Sequence, residues 1–323
     1  MLEEIGWYQR NLFETAVARL RSGPEWGRPL LVYRGASKNL LRRQLFSARD
    51  LDHFDEYLFA RLFYFGEKAR HFSLDDDEAV VRRNWLRSVT DVSPKTFEWL
   101  FDQLHRIVRY RYRRVRAFCS ENPTLAAYFS ERSHRRDFVR RVALVSRPMR
   151  ALIRDYYLYL LHTYGRKGVH AQTMLISASL ELRQASKFKD RADENVVLYL
   201  FVPRGNSRFT VSSFTRPPKC LRMIGLPQYS PNTGLYAEQQ EIALRGAVFP
   251  QRILGASDRT SGHFIVNPHL LQMSPGQLKE MPRAGIPINQ DDFDLLVRET
   301  GYLGYAHATP EGRFSALGRR REK

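Results

Sequence analysis

The segment Asn195-Val-Val-Leu-Tyr-Leu-Phe-Val202 decides the fold class of this chain. It is an almost continuous apolar run, and Pro203-Arg204-Gly205 follows it as a turn, so the pattern predicts a strand. Shorter strand-like segments occur on both sides of it, at 30–33, 173–176, 209–214, 242–244 and 248–254. Short strands joined by turns rich in glycine and proline predict a compact, mostly antiparallel sheet core.

A long helical block separates the first of these strands from the others. Between about residue 50 and residue 164, apolar residues recur at three- and four-residue spacing. Ser93-Pro94 marks one helix start and Asn122-Pro123 marks a break, since proline is favoured in the first turn of a helix. An amphipathic helix is also expected over 2–22. Strands and helices in separate runs predict an α+β protein.

The pattern divides the chain of 323 residues into four segments. An N-terminal helix and the first core strand occupy 1–48, and an arginine-rich helical insertion occupies 49–165. The rest of the core occupies 166–262, and a C-terminal extension occupies 263–323. Hydrophobic residues make up 43% of the chain and aromatic residues 12%, so we expect a sizeable core and no global disorder.

The composition also limits the compartment and the kinds of site that we expect. Cys119 and Cys220 are the only cysteines, and neither lies in a C-x-x-C or C-x-x-H pattern. No structural zinc or other metal is therefore expected. The start of the chain has acidic residues and no apolar signal region, and no apolar run approaches the roughly 20 residues that span a bilayer. We expect a soluble, cytoplasmic protein.

The net charge of +18 indicates a polyanionic partner. Lysine and arginine number 52 against 34 acidic residues, and the excess is mainly arginine, whose planar fork binds two phosphate oxygens at once. Such a charge favours nucleic acid as a partner. Two alternatives would also explain the net charge: a role in solubility alone, or a surface for an acidic protein partner.

Two arginine clusters in the helical block are the expected contact surface. Residues 106–116 hold six arginines in eleven positions. On one helix, four of them would form a single stripe: Arg106, Arg109, Arg113 and Arg116. A second cluster includes Arg135, Arg136 and Arg140. Phosphate would compensate this charge, and Tyr110 and Tyr112 could stack on unpaired bases. A solvated helix face or a groove for an acidic inhibitor protein remain alternatives.

Three short segments place polar residues at predicted strand ends. In Val32-Tyr33-Arg34-Gly35, an arginine that can bind phosphate precedes a glycine that permits close ligand approach. Ser177 and Ser179 project from one face of a strand. Glu241 stands where a loop enters the strand 242–244. The plainer interpretations are a surface arginine, two ordinary strand serines and an edge-strand glutamate that faces water.

In this order, the segments 32–35, 176–180 and 236–241 resemble the Arg, Ser-x-Ser and Gln-x-Glu elements of the mono-ADP-ribosyltransferase family. This family includes cholera toxin, the clostridial Rho-modifying exoenzymes and the pierisin-like guanine-modifying toxins. The helix expected after the serine pair, with Ala185 and then Phe188, also fits the family pattern. The resemblance implies a split antiparallel sheet core with a large helical insertion. The long gap between Arg34 and Ser177 departs from the family.

The resemblance also implies a role for each motif residue. NAD is the co-substrate, and the residues that would bind it are Tyr33, Arg34, Gly35, Ser177, Ser179 and Phe188. Glu241 would stabilise positive charge on the ribose, and Gln239 would orient the acceptor. Tyr236 and Tyr229 would recognise the acceptor.

We therefore expect a mono-ADP-ribosyltransferase toxin that modifies a base in RNA or single-stranded DNA. The Gln-x-Glu form and the arginine excess both favour this acceptor. The first alternative is transfer to a protein side chain, and the second is a basic nucleic-acid-binding module without catalysis. An enzyme of this type would poison its own cell, so the resemblance also implies a neutralising antitoxin or immunity protein.

Overall fold

The computed structural model describes residues 7–21, 30–45, 54–67, 79–110, 113–165, 167–187, 195–202, 210–212, 219–230, 240–272, 306–308 and 314–316. The chain divides into two compact units. The first unit holds residues 1–79, 176–210 and 246–323, and the second holds 80–175 and 211–245.

Helices and antiparallel strands both contribute to the fold. The described helices are α1 (Trp7–Arg21), α2 (Lys38–Leu45), α3 (Phe54–Phe65), α4 (Ala79–Val89), α5 (Pro94–Val108), α6 (Arg113–Glu121), α7 (Pro123–Ser130), α8 (His134–Ala143), α9 (Arg147–Tyr164), α10 (Lys167–Gln172), α11 (Leu182–Ser186), α12 (Lys219–Met223) and α13 (Pro268–Gln272). The described strands are β1 (Leu30–Ser37), β2 (Leu175–Ser179), β3 (Asn195–Val202), β4 (Thr210–Ser212), β5 (Glu241–Arg245), β6 (Ile253–Asp258), β7 (Phe264–Val266), β8 (Ala306–Ala308) and β9 (Phe314–Ala316). The predicted α+β class is confirmed. None of the described helices has both the length and the apolar character needed to cross a membrane.

The first unit is built on an antiparallel sheet in which β3 is central. Neighbouring strands follow the order β2-β1-β3-β6-β7. Every residue of β3 is buried, as expected for a strand with apolar side chains on both faces. Its register on β1 places Arg34 opposite Leu198 and Gly35 opposite Val197. The continuous apolar run thus forms the strand that its pattern predicts, and this strand lies between β1 and β6.

Helices cover this sheet with apolar side chains. Helix α1 packs against β6 and β7, and α11 packs against β1 and β3. Phe13 of α1 meets the rings of Tyr199 and Phe264 edge-on, at centroid distances of 5.8 and 5.3 Å. Such edge-to-face aromatic contacts add to the burial of apolar area, so α1 is fixed on the β6–β7 side of the sheet.

The second unit has a helical core around α5 and α9. Helix α5 contacts α7, α8 and α9. The four buried rings of Phe101, Phe129, Phe138 and Tyr157 lie between 5.4 and 5.8 Å apart in successive contacts. Helix α5 begins at Pro94, as predicted. The predicted break at Asn122-Pro123 is the start of α7.

The expected single helix through 106–116 is not formed. Helix α5 ends at Val108, Arg109 caps it, and α6 begins at Arg113, while 111 and 112 lie outside the described residues. Like charges three and four residues apart destabilise a helix, and this stretch is mostly arginine. The predicted stripe of four arginines is therefore divided between two helices.

The strand expected over 248–254 is also shorter than its apolar pattern suggests. Val248 forms only an isolated bridge with Glu67, a 3₁₀ turn follows at Pro250–Arg252, and β6 begins at Ile253. Proline has no backbone N–H to donate to a strand partner, so Pro250 delays the start of the strand.

Candidate active site

The first group of candidate residues lies in the first unit, where Arg34 of β1 is almost fully buried. Its side chain makes a forked ion pair with Glu67, from Nε to Oε2 at 2.5 Å and from Nη2 to Oε1 at 2.6 Å. Arg34 is 7% exposed and Glu67 is 0% exposed. A forked pair fixes the plane of the guanidinium, so Arg34 is held in one orientation.

The same guanidinium joins two of the sequence motifs. Nη1 of Arg34 donates to the backbone oxygen of Ser177 at 2.8 Å, across a separation of 143 residues. The antiparallel pairing of β1 with β2 also places Tyr33 opposite Ser179. The long helical block therefore does not keep the Arg and Ser-x-Ser elements apart. An arginine has five N–H donors, and within the described part of the chain these contacts use three of those on Arg34.

The two serines have different surroundings. Ser177 is partly buried, and its carbonyl receives the Arg34 bond. Ser179 is buried, and its Oγ accepts a hydrogen bond from the backbone N–H of Glu181 at 3.0 Å. This local bond turns the chain from β2 towards α11, since serine side chains often stabilise such turns. Burial, and then the charge of Glu181, raise the pKa of Tyr33.

Glu67 was missed by the sequence analysis, although it is the direct partner of Arg34. Gly66 ends α3 with φ of +66°, and a Cβ there would lie 2.0 Å from the carbonyl oxygen of Val248. Glu67 then exchanges two backbone hydrogen bonds with Val248, at 2.9 and 3.0 Å. Glycine after a helix is the one local signal of this turn, but it does not reveal which residue the following carboxylate contacts.

The second group of candidate residues lies in the second unit and is centred on Glu241. Glu241 is the first residue of β5, as predicted, and is only 5% exposed. The hydroxyl of Tyr159 donates to Oε2 of Glu241 at 2.8 Å, and Nε2 of His162 lies 3.7 Å from Oε1. The alternative of an edge-strand glutamate facing water is therefore wrong.

Helix α9 holds β5 at both of its ends. At the end opposite Glu241, Arg245 makes a forked pair with Asp155, at 2.8 and 2.5 Å, and also donates to the carbonyl of Ser88 at 2.9 Å. Gln240, just before the strand, has φ of +46°, a conformation uncommon for residues other than glycine. The position of the Glu241 carboxylate is therefore fixed by its strand and by α9 together.

A buried hydrogen-bond chain sets the tautomer of His162. Thr173 donates its hydroxyl proton to the carbonyl of His170 at 2.6 Å. Its Oγ1 is therefore available to His162 as an acceptor, and Nδ1 of His162 lies 3.2 Å away. With the proton on Nδ1, Nε2 is the nitrogen that faces Glu241, and it attracts the carboxylate only when it is protonated as well. The ring of His170 stacks on that of His162 at 4.1 Å.

Four further residues were predicted to contact NAD or the acceptor. Phe188, Tyr236 and Gln239 are outside the described residues. Tyr229 is in the core, where its ring stacks on that of Tyr156 at 4.3 Å and its backbone N–H donates to the Tyr156 hydroxyl. Burial raises the pKa of Tyr229. The structure thus gives Tyr229 a packing contact.

The candidate arginines differ in how their charge is compensated. Arg135 pairs with Asp102 and Glu98 at 3.0 and 3.1 Å, and Arg140 pairs with Asp137 at 2.7 Å. The other predicted contact residues are exposed: Arg106, Arg109, Arg113, Arg116 and Arg136. In the described ranges, no ion pair involves Arg106, Arg109, Arg113 or Arg136. Their charge is directed to solvent.

Comparisons with known proteins give this chain no relative. No protein-family model matches it, and neither the curated proteins nor the solved structures contain a significant match. Among the described residues, no group of three or more histidine, cysteine or acidic side chains is arranged to hold a metal ion.

Proposed function

We propose that this chain is a mono-ADP-ribosyltransferase that cleaves NAD and transfers ADP-ribose to a nucleic acid. The observation that carries the proposal is the hydrogen bond from Arg34 to the backbone of Ser177. The two residues are far apart in sequence and belong to different motifs, yet they are in contact in one sheet. This contact is what a shared NAD site requires of the Arg and Ser-x-Ser elements.

The residues of the first unit fit a role in binding the co-substrate. Three N–H donors of Arg34 are used by Glu67 and Ser177, and the two that have no acceptor among the described residues suit the oxygens of a pyrophosphate. Glu67 holds the guanidinium in place, so its orientation does not have to be fixed when the ligand binds. Such preorganisation lowers the entropic cost of binding.

Glu241 has the chemistry that bond cleavage requires. When the bond between C1′ of the ribose and nicotinamide breaks, the electron pair leaves with nicotinamide and positive charge develops on the ribose, as in glycoside cleavage. A buried carboxylate stabilises such charge more strongly than an exposed one, because little water screens it. Tyr159 holds the carboxylate through Oε2. We assign to Gln239 the role of orienting the acceptor. The acceptor nitrogen or oxygen then bonds to C1′ and loses its proton.

The preference for nucleic acid as the acceptor rests on charge. The chain carries +18, and several arginines of the second unit are exposed without an ion pair in the described ranges. Arginine binds phosphate oxygens in pairs, and this electrostatic contribution dominates nucleic-acid affinity. Transfer to a protein side chain remains the runner-up, and binding without catalysis remains the third alternative.

Labelled NAD and a panel of acceptors test the proposal. Purified wild type, Glu241→Gln and Glu131→Gln are each offered total RNA, single-stranded DNA, duplex DNA and a nuclease-treated protein lysate. Glu131 is an exposed glutamate of the second unit and serves as the matched control. We expect label on one nucleic acid with wild type and Glu131→Gln, and none with Glu241→Gln.

Each other outcome selects an alternative. Label on protein alone would support ADP-ribosyltransferase activity with a protein side chain, and not a nucleic acid, as the acceptor. A folded wild type that transfers no label and releases no nicotinamide in any tube, but binds nucleic acid in a salt-dependent manner, would leave a binding module without catalysis.

A further inference from the structure

A pocket lies on the second unit, between the end of α8 and helix α12. The pocket has a volume of about 570 Å³, and its lining includes Arg140, Arg141, Leu144, Arg222, Met223 and Ile224. Three of these six side chains are arginines and the other three are aliphatic. The residues of the Glu241 group are not among them.

Two of the aliphatic residues are unusually exposed. Leu144 is 75% exposed and Met223 is 77% exposed, although most large apolar side chains in the described part of this unit are buried. Exposed apolar side chains that share one concave surface with a polar rim are typical of protein interaction sites. Methionine also adapts its shape to a partner because its side chain is flexible and polarisable.

The pocket is built by specific contacts. Arg141 donates from Nη1 to the carbonyl oxygens of Ile224 and Gly225, at 2.9 and 3.2 Å, and from Nε to Asp137 at 2.5 Å. Gly225 has φ of +65°, and a Cβ at this position would lie 2.4 Å from Nη1 of Arg141. Glycine at residue 225 suits both this close approach of Arg141 and the positive φ. The wall formed by α8 and the turn after α12 is therefore fixed.

The rim of the pocket is positively charged. Arg222 is exposed, and no ion pair involves it among the described residues. Arg140 also points to solvent, with a side chain that is 75% exposed. Asp137 is shared between Arg140 and Arg141, and the hydrogen bond from Arg140, followed by that from Arg141, lowers the pKa of this carboxyl despite its partial burial. Among the described residues of this rim, the carboxylate of Asp137 is outnumbered by the guanidinium groups of Arg140, Arg141 and Arg222. The rim therefore has excess positive charge.

We propose that this pocket is the docking site for an acidic amphipathic helix of a partner protein. The apolar face of the helix contacts Leu144 and Met223, and its carboxylates pair with Arg140 and Arg222. Apolar residues at helical spacing commonly bind in such a groove, and arginine pairs well with carboxylate. A single-stranded nucleic acid is disfavoured as the occupant because none of the described lining residues has an aromatic ring on which a base could stack.

A designed helical peptide tests this proposal by fluorescence anisotropy with the full chain. The labelled probe carries leucines along one face and glutamates beside them, and a second peptide has lysine in place of each glutamate. We expect the acidic probe to bind and the basic one to fail. Leu144→Ser with Met223→Ser, or Arg222→Glu, should each weaken binding about tenfold or more, as loss of central contacts does.

Matched variants distinguish loss of the surface from loss of the fold. Met149→Ser removes a partly exposed apolar side chain that does not line the pocket, and Arg132→Glu changes the charge of an exposed arginine elsewhere in the unit. Both should bind the probe like wild type, and all variants should keep the wild-type thermal midpoint.

Three results would overturn the proposal. The first is absence of probe binding, or binding that Leu144→Ser and Met223→Ser leave unchanged. The second is displacement of the probe by a single-stranded oligonucleotide whose own binding depends on Leu144 and Met223. The third is a concentration-dependent dimer that the same variants dissociate, because the occupant would then be a second copy of this chain. Since the assay needs no NAD, its outcome is independent of the proposed enzymatic activity.

Discussion

Replacing Arg34 by methionine should destabilise the protein strongly, because the buried carboxylate of Glu67 loses the two hydrogen bonds that Arg34 donates to it. The forked pair supplies two charge-assisted hydrogen bonds, at 2.5 and 2.6 Å. Each such bond contributes roughly 1.5–3 kcal/mol. Loss of both therefore agrees with the roughly 3–5 kcal/mol measured when one partner of a buried pair is removed. We expect Arg34→Met to lower the free energy of unfolding by about this amount.

Urea unfolding followed by circular dichroism measures the effect. The double variant Arg34→Met with Glu67→Leu is the critical control, since it removes both charges. It should recover most of the lost stability, because well-packed apolar residues often replace a buried ion pair at little cost. It should nevertheless fail to cleave NAD, which separates the structural role of Arg34 from its proposed role in binding. A loss below about 1 kcal/mol for the single variant, or no recovery in the double variant, would show that the forked pair does not determine the stability of this site.

Three further predictions concern other contacts. Tyr159→Phe should slow NAD cleavage about tenfold or more, since it removes the hydroxyl that holds the carboxylate proposed to be catalytic, that of Glu241. Tyr157→Phe, which loses a buried bond of similar length to a backbone carbonyl, should not slow it. Initial rates and KM compare the two variants. Gly66→Ala should cost roughly 2 kcal/mol or more in urea unfolding, since its Cβ would meet a carbonyl, while Gly168→Ala has open space and should not destabilise. Finally, the arginine hydrogen bonds described above lower the pKa of Asp137, so its stabilising contribution is complete above roughly pH 4 and is lost as the pH falls through the folded-state pKa. The gap in unfolding free energy between wild type and Asp137→Asn should therefore be smaller at about pH 3 than at pH 7.

Each of these three predictions has a result that would contradict it. Equal rates for the two tyrosine variants would remove Tyr159 from the account of catalysis. Equal stability of the two glycine variants would mean that the turn after α3 can relax. A gap for Asp137→Asn that does not change with pH would mean that the carboxylate gains nothing from its arginine neighbours.

Much of the fold is encoded in local patterns. The apolar run of β3 predicts a strand, and its burial between β1 and β6 agrees with a sequence that is apolar at nearly every position. Pro94 predicts a helix start, because proline fixes a φ that suits the first turn. Asn122-Pro123 predicts a break, and α7 begins there. The break between α5 and α6 was not predicted, because helical spacing alone takes no account of repulsion between arginines.

The candidate site was predictable only in part. The motif order identifies Arg34 and Glu241, but their partners depend on tertiary contacts between distant segments. Glu67 follows a glycine in an otherwise ordinary sequence, and no periodicity links it to Arg34. Tyr159 and His162 did have a usable signal. Both residues carry polar side-chain atoms in the buried part of α9, and buried polar atoms need hydrogen-bond partners.

Release of nicotinamide from NAD by the folded wild type and by Glu241→Gln tests most directly whether Glu241 catalyses the cleavage of NAD. It needs no acceptor to be known, because cleavage can proceed with water. We predict measurable release by wild type and a decrease of about 100-fold or more in the variant, as expected when a preorganised electrostatic contact is removed. Equal release by both proteins, or no release by the folded wild type, would contradict the claim that Glu241 catalyses the cleavage of NAD.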